Sequence, residues 1–331
     1  MQERRSQQYE LTGHRSAHFA LVLTVLAITA FGQTASEVKR STPSTAESDA
    51  VQTTTEDNGY VGSQACGSCH AEIYKKYMRT GMGRSMSSIS SVSPALLQNL
   101  HVPAVYANQR LDRHYDVMSR DGKLYESEYA LDGKGKDIFR EEHQLEWFIG
   151  SGENGIGAIV RRDDYLFEAP LTLYTRTMTW EMSPGYESTD IGFSRPILPE
   201  CLFCHSGRSN PIPGNDGSFE NTVFPEMPIG CENCHGPGAA HIDALTSDAT
   251  GRGGSLAIVN PARLTPDLAN NICMACHEIG DERILRTGKE YKDIRPGEFL
   301  DNYTVDSYNA PNARGAARQG SPAALLFHDF E

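Results

Sequence analysis

Four short stretches of the chain each place two thiols and an imidazole within five residues. They are Cys66-Gly-Ser-Cys69-His70, Cys201-Leu-Phe-Cys204-His205, Cys231-Glu-Asn-Cys234-His235 and Cys273-Met-Ala-Cys276-His277, and together they use all 8 cysteines. Two thiols three positions apart can add to the two vinyl groups of one haem, and the histidine that follows brings a ring nitrogen beneath the iron. The spacing therefore predicts four covalently bound haem c groups, with His70, His205, His235 and His277 as proximal iron ligands. Pairs of Cys-x-x-Cys also build tetrahedral zinc centres, but zinc gives no reason for a histidine after every second cysteine. A redox dithiol occurs once, beside a βαβ pattern that is not visible here. Structural disulfides would leave the four histidines a coincidence.

Each iron takes one more ligand. His241 follows His235 by six residues in Cys-His-Gly-Pro-Gly-Ala-Ala-His, where the glycines permit a tight turn against a flat haem face. His143 immediately precedes the apolar segment LEWFIGSG, and His114 sits at the start of a strand-like stretch. Met82 lies between two glycines, twelve residues past the first motif, and a thioether ligand there would raise that haem's reduction potential. Met82, His114, His143 and His241 thus supply four sixth ligands for four irons, while His101 and His328 read as surface residues.

The elements that must position these groups divide the chain unevenly. Residues 71–80 (AEIYKKYMRT) have helical spacing and stop at Gly81 and Gly83. Residues 110–185 hold short alternating runs such as HYDVM, KLYESEYAL and AIVRRDDYLFEA, parted by DG, DGKG and SPG turns, which predicts a small antiparallel β-region. From Pro196 to Gly280 the chain is turn-rich, with few long periodic segments. The expected fold class is α+β: a loop-rich domain over residues 58–300, with short helices around the haems and the β-region beside them. Residues 301–331 read as a weakly ordered tail.

At the N-terminus, Arg4, Arg5 and Arg15 precede the apolar run FALVLTVLAITAF, which is shorter than the roughly 20 residues of a bilayer span. Residues 1–32 read as a cleaved export signal, so that no stable membrane span is expected afterwards, and residues 33–57, rich in Ser and Thr, as a disordered linker. Export implies a periplasmic or extracellular location. A formal net charge of −13 disfavours nucleic acid and suits basic or membrane-bound redox protein partners.

Tyr60-Val-Gly-Ser-Gln-Ala-Cys-Gly-Ser-Cys-His, with Ile73-Tyr74 and Tyr77-Met-Arg-Thr-Gly-Met, resembles the first haem segment of the cytochrome c554 (c554 and c-prime) family, and Cys231-Glu-Asn-Cys-His-Gly-Pro-Gly-Ala-Ala-His resembles another of its segments. The family often has Trp where this chain has Tyr77, and a distal-ligand His where it has Met82. Trp180-Glu-Met-Ser-Pro-Gly-Tyr, Phe193-Ser-Arg-Pro-Ile, Cys201-Leu-Phe-Cys-His-Ser-Gly-Arg and Asn271-Ile-Cys-Met-Ala-Cys-His are similar to exported multihaem cytochromes that continue into tetratricopeptide repeats. The resemblance implies closely packed haems that replace much of an apolar core, and an electron carrier in which every iron is six-coordinate. Two rivals stand beside it. One is a haem enzyme with a five-coordinate iron acting on a small nitrogen or sulfur compound, with Arg195 or Arg208 holding an anion. The other is a docking or filament subunit that takes a ligand from a partner.

Overall fold

A computed structural model describes residues 59–90, 93–215, 217–247, 257–280 and 282–307. The export signal (1–32), the linker (33–57) and residues 308–331 of the expected tail lie outside the described residues, all of which fall on the C-terminal side of a division at Thr53–Thr54.

The chain enters through α1 (Ser63–Gly67) and α2 (Ala71–Tyr77), then strand β1 (Met86–Ser88) and α3 (Pro94–Asn99). Helix α3 starts where it does because the Ser93 hydroxyl accepts the Leu96 N–H and Pro94 occupies the first turn, which needs no donor there. Nine strands follow: β2 (Ala104–Asn108), β3 (Arg113–Arg120), β4 (Lys123–Leu131), β5 (Asp137–Gln144), β6 (Trp147–Ile149), β7 (Gly155–Arg162), β8 (Tyr165–Glu168), β9 (Leu171–Tyr174) and β10 (Thr179–Met182). Strands β2-β3-β4-β5 form one antiparallel sheet, and β1-β6-β7-β9-β10, with β8 paired to β7, form a second. The expected antiparallel β-region is thus built as two sheets. The β3–β4 hairpin turns on Asp121 and Gly122, with φ of 52° and 73°, the left-handed pair that lets a two-residue loop follow the strand twist.

The sheets meet over Tyr115, Val117 and Leu124 on one side and Ala158, Val160, Leu171 and Leu173 on the other. Strand β7 is buried on both faces: Ala158 and Val160 point into that core, while Ile159 joins a second cluster with Met86, Leu166, Leu202 and Phe219. A strand covered twice reads as an apolar run rather than an alternation. The second cluster matters for the site, because Leu202 lies between Cys201 and Cys204 and roots that motif in the β-region.

Beyond β10 come α4 (Pro199–His205), α5 (Glu232–His235), α6 (Ala239–Ser247), α7 (Pro266–His277), β11 (Glu282–Leu285) and β12 (Thr304–Ser307). The 12-residue α7 is longer than the turn-rich reading of this region anticipates, and β12 gives residues 304–307 of the expected tail a fixed place against β11. Among the described residues no helix is long and apolar enough to cross a membrane. The molecule is α+β, with few short helices and small antiparallel sheets.

Candidate functional site

Each Cys-x-x-Cys-His stretch ends a helix. In the first, the N–H groups of Cys69 and His70 both donate to the Cys66 carbonyl, at 3.2 and 2.8 Å. In the third, Cys234 and His235 donate to the Cys231 carbonyl at 3.2 and 3.0 Å, and Gly236 leaves the helix with φ of 74°. The second and fourth motifs form the C-terminal turns of α4 and α7. One helical turn thus sets two thiols on one face and the imidazole next to them, the arrangement that double thioether attachment and ligation from one side require.

The motifs also lie against one another. Cys66 and Cys231 are within thiol hydrogen-bond reach, and burial followed by the nearby Cys231 pushes the Cys66 thiol up to about 11. Burial, then Cys273 and Cys231, likewise pushes up the Cys234 thiol. The Cys204 and Cys276 thiols share a hydrogen bond, which holds Cys276 protonated and leaves Cys204 to ionise first. The thiol contacts therefore link first with third, third with fourth and fourth with second motif, not the order of the sequence. The thiols meet in pairs, not in the fourfold convergence a tetrahedral zinc ion needs. Among the described residues no group of three or more His, Cys, Asp or Glu side chains is placed to hold a bare metal ion.

Three imidazoles bear on the expected iron sites. The Nδ1 of His235 lies 2.7 Å from the Val259 carbonyl; as donor there, the ring leaves Nε2 without its proton, the tautomer that binds a metal. The rings of His70 and His241 have centroids 6.5 Å apart and planes 19° from parallel. Two imidazoles bound to opposite sides of one metal ion, with bonds of about 2.0 Å and ring centres ~1.1 Å behind the nitrogens, have centroids about 6.3 Å apart. His241 lies on α6, one turn past the Gly-Pro-Gly bend.

The other residues expected as sixth ligands sit elsewhere. His143 on β5 places Nε2 2.7 Å from Glu141 Oε1, and its ring packs on Phe193 at 4.7 Å. His114 on β3 lies against Tyr129, with centroids 5.3 Å apart. Met82 opens the short 3₁₀ turn after α2 and is 40% exposed. That turn is tight because a Cβ at Gly83 would stand 2.5 Å from the Tyr77 carbonyl. Arg195 pairs with Glu168 at 3.0 Å, and Arg208 stacks over Tyr60 at 4.6 Å.

Several residues that the motifs do not advertise hold the site together. Arg283, whose side chain is 4% exposed, pairs with both carboxylate oxygens of Asp306 on β12 and donates to the Ala275, Met274 and Glu278 carbonyls at the end of α7. The Tyr77 hydroxyl donates to the Ile229 carbonyl at 2.8 Å, tying α2 to the approach of the third motif. The Ser63 hydroxyl accepts the Cys231 N–H at 2.7 Å. Their partners are distant in sequence, so no local pattern reveals them.

No family model and no curated protein matches this chain. Among solved structures, the outer cell wall cytochrome OcwA is similar to it, with a TM-score of 0.45 and 16% identity over 78% of this chain and 47% of that one. The chain thus spans under half the length of that protein.

Proposed function

We propose that this chain is an exported tetrahaem c-type cytochrome that passes electrons between redox protein partners. The observation that carries the reading is the set of four Cys-x-x-Cys-His motifs, each folded as a helical turn and placed in one contact series. When bound, the haems supply irons that cycle between two oxidation states, held close enough to exchange electrons. The residues of this chain do the rest. The cysteine pairs would hold each haem covalently, and the proximal histidines would ligate its iron. The Val259 carbonyl orients His235, and His70 and His241 would together hold one iron.

The same reading draws sixth ligands for the other irons from Met82, His114 and His143. The two histidines would have to leave Tyr129 and Glu141 to serve. A negative surface favours basic partners, and the N-terminal signal favours the periplasm or the cell exterior. The test is a pyridine haemochrome assay with spectra of the oxidised and reduced protein, taken with and without carbon monoxide. Four haems per chain, all low-spin and indifferent to carbon monoxide, are expected. Fewer than four haems refutes the reading; a high-spin iron that binds carbon monoxide replaces the carrier with an enzyme.

A further inference from the structure

The two residues between the cysteines of the third motif, Glu232 and Asn233, are free to vary as far as thioether chemistry is concerned, yet both are heavily engaged. Glu232 is 1% exposed. Its carboxylate accepts the Val61 N–H at 3.0 Å, the Gly62 N–H at 2.8 Å and the Gly238 N–H at 2.7 Å. Val61 and Gly62 lead into α1 and the first motif; Gly238 leads into α6 and His241. One buried carboxylate therefore holds together the two segments that carry His70 and His241, through charge-assisted bonds that tolerate little displacement. Gly238 itself is close-packed, since a Cβ there would lie 3.2 Å from Glu232 Oε1. Asn233 works in the other direction. Its Oδ1 accepts the Gly230 N–H at 2.8 Å, and its Nδ2 donates at 3.0 Å to the Gly207 carbonyl, two residues past His205.

We propose that Glu232 is a positioning residue for electron transfer between the first and third haem sites, and that Asn233 independently fixes the segment after the second motif. The proposal rests on the tetrahaem reading. Each transfer between sites oxidises one iron from Fe(II) to Fe(III) while its neighbour is reduced from Fe(III) to Fe(II), with no proton or leaving group involved. Its rate falls steeply with separation, so a clamp that sets the separation sets the rate.

The test uses the haem-loaded full chain and the variants E232Q and N233A. Glutamine keeps the volume of Glu232 but turns an NH₂ group towards amide donors. Exchange of the Val61 and Gly62 amides should quicken about ten- to hundredfold, and the magnetic interaction between the first and third ferric irons, read by electron paramagnetic resonance, should change. N233A should leave that interaction at wild-type strength. An interaction unaltered in E232Q despite faster exchange overturns the proposal, because Glu232 would then be structural only. An interaction equally disturbed in N233A overturns it too. Where E232Q yields no folded protein, E232D is read by the same two measurements. Fewer than four haems in the wild type would instead overturn the tetrahaem reading.

Discussion

Glu126 offers a sharp test of how the β-region is held. It lies on β4, fully buried, with Oε1 accepting the Leu171 N–H at 2.8 Å and Oε2 meeting no partner. Glu128, Asp116 and Glu168 add their charges to the cost of ionising it, so burial first and these carboxylates second hold its carboxyl well above the usual range. Glu128, two residues on, is pushed up to about 7 by burial and by Asp190, against the opposing pull of Arg113. Both folded-state values stand above the unfolded ones. Protons are therefore kept by the folded chain where the unfolded chain has released them, and stability is full below about pH 4.5 and falls as pH rises. Each group contributes a slope of about 1.4 kcal/mol per pH unit. For Glu128, the 4.5-to-7 window amounts to about 3 kcal/mol lost on the way to neutrality.

Replacing Glu126 with Gln removes one slope and keeps the acceptor for Leu171. The amide's NH₂ lacks a partner, a pH-independent cost of about 1–3 kcal/mol, so the absolute stability is not the signature; the slope is. Urea unfolding of the haem-loaded protein at pH 5, 6, 7 and 8, extrapolated linearly to water, should show the variant's stability falling less steeply by up to about 1.4 kcal/mol per unit. Parallel wild-type and variant curves would refute the claim that Glu126 is neutral in the folded state.

Four further substitutions probe the site. H241A, H143A and H114A should each leave four attached haems but convert one iron to a high-spin form that binds carbon monoxide; a wild-type spectrum in H143A or H114A would leave that histidine in its β-region contact only. Absorption spectra before and after carbon monoxide distinguish these outcomes, and an unchanged H241A spectrum would remove His241 from the coordination of the iron at His70. L202A leaves every cysteine and histidine of the second motif in place but opens a cavity beneath it, at a cost of about 2–5 kcal/mol; urea unfolding should show that loss with haem content unchanged.

What the sequence made legible was local. The Cys-x-x-Cys-His turns, the Asp121-Gly122 hairpin and the helix after His70 each depend on residues a few positions apart, and each is present. Helix α2 stops at Tyr77, three residues short of the expected end, because the chain must bend for Gly83 to pack on the Tyr77 carbonyl. Strand β2 begins at Ala104, ahead of the expected 110, since a five-residue strand with one face half-buried gives little periodic signal. The roles of Glu232, Arg283 and Leu202 were invisible for another reason. Their partners lie across the fold, at Val61, Asp306 and Phe219, and a single sequence carries no record of such pairings.

The spatial series of motifs explains an otherwise odd spacing. The interval between His70 and Cys201 holds nearly the whole β-region, while the third and fourth motifs follow the second closely. Thiol contact in chain order would set the first motif against the second, whose flanking residues do meet at Tyr60 and Arg208. Instead the β-region takes the second motif through Leu202, and the chain then returns through Ile229 and Gly230 to lay the third motif against the first, where Tyr77, Ser63 and Glu232 secure it. The fourth motif fills the gap between third and second, its helix end tied down by Arg283.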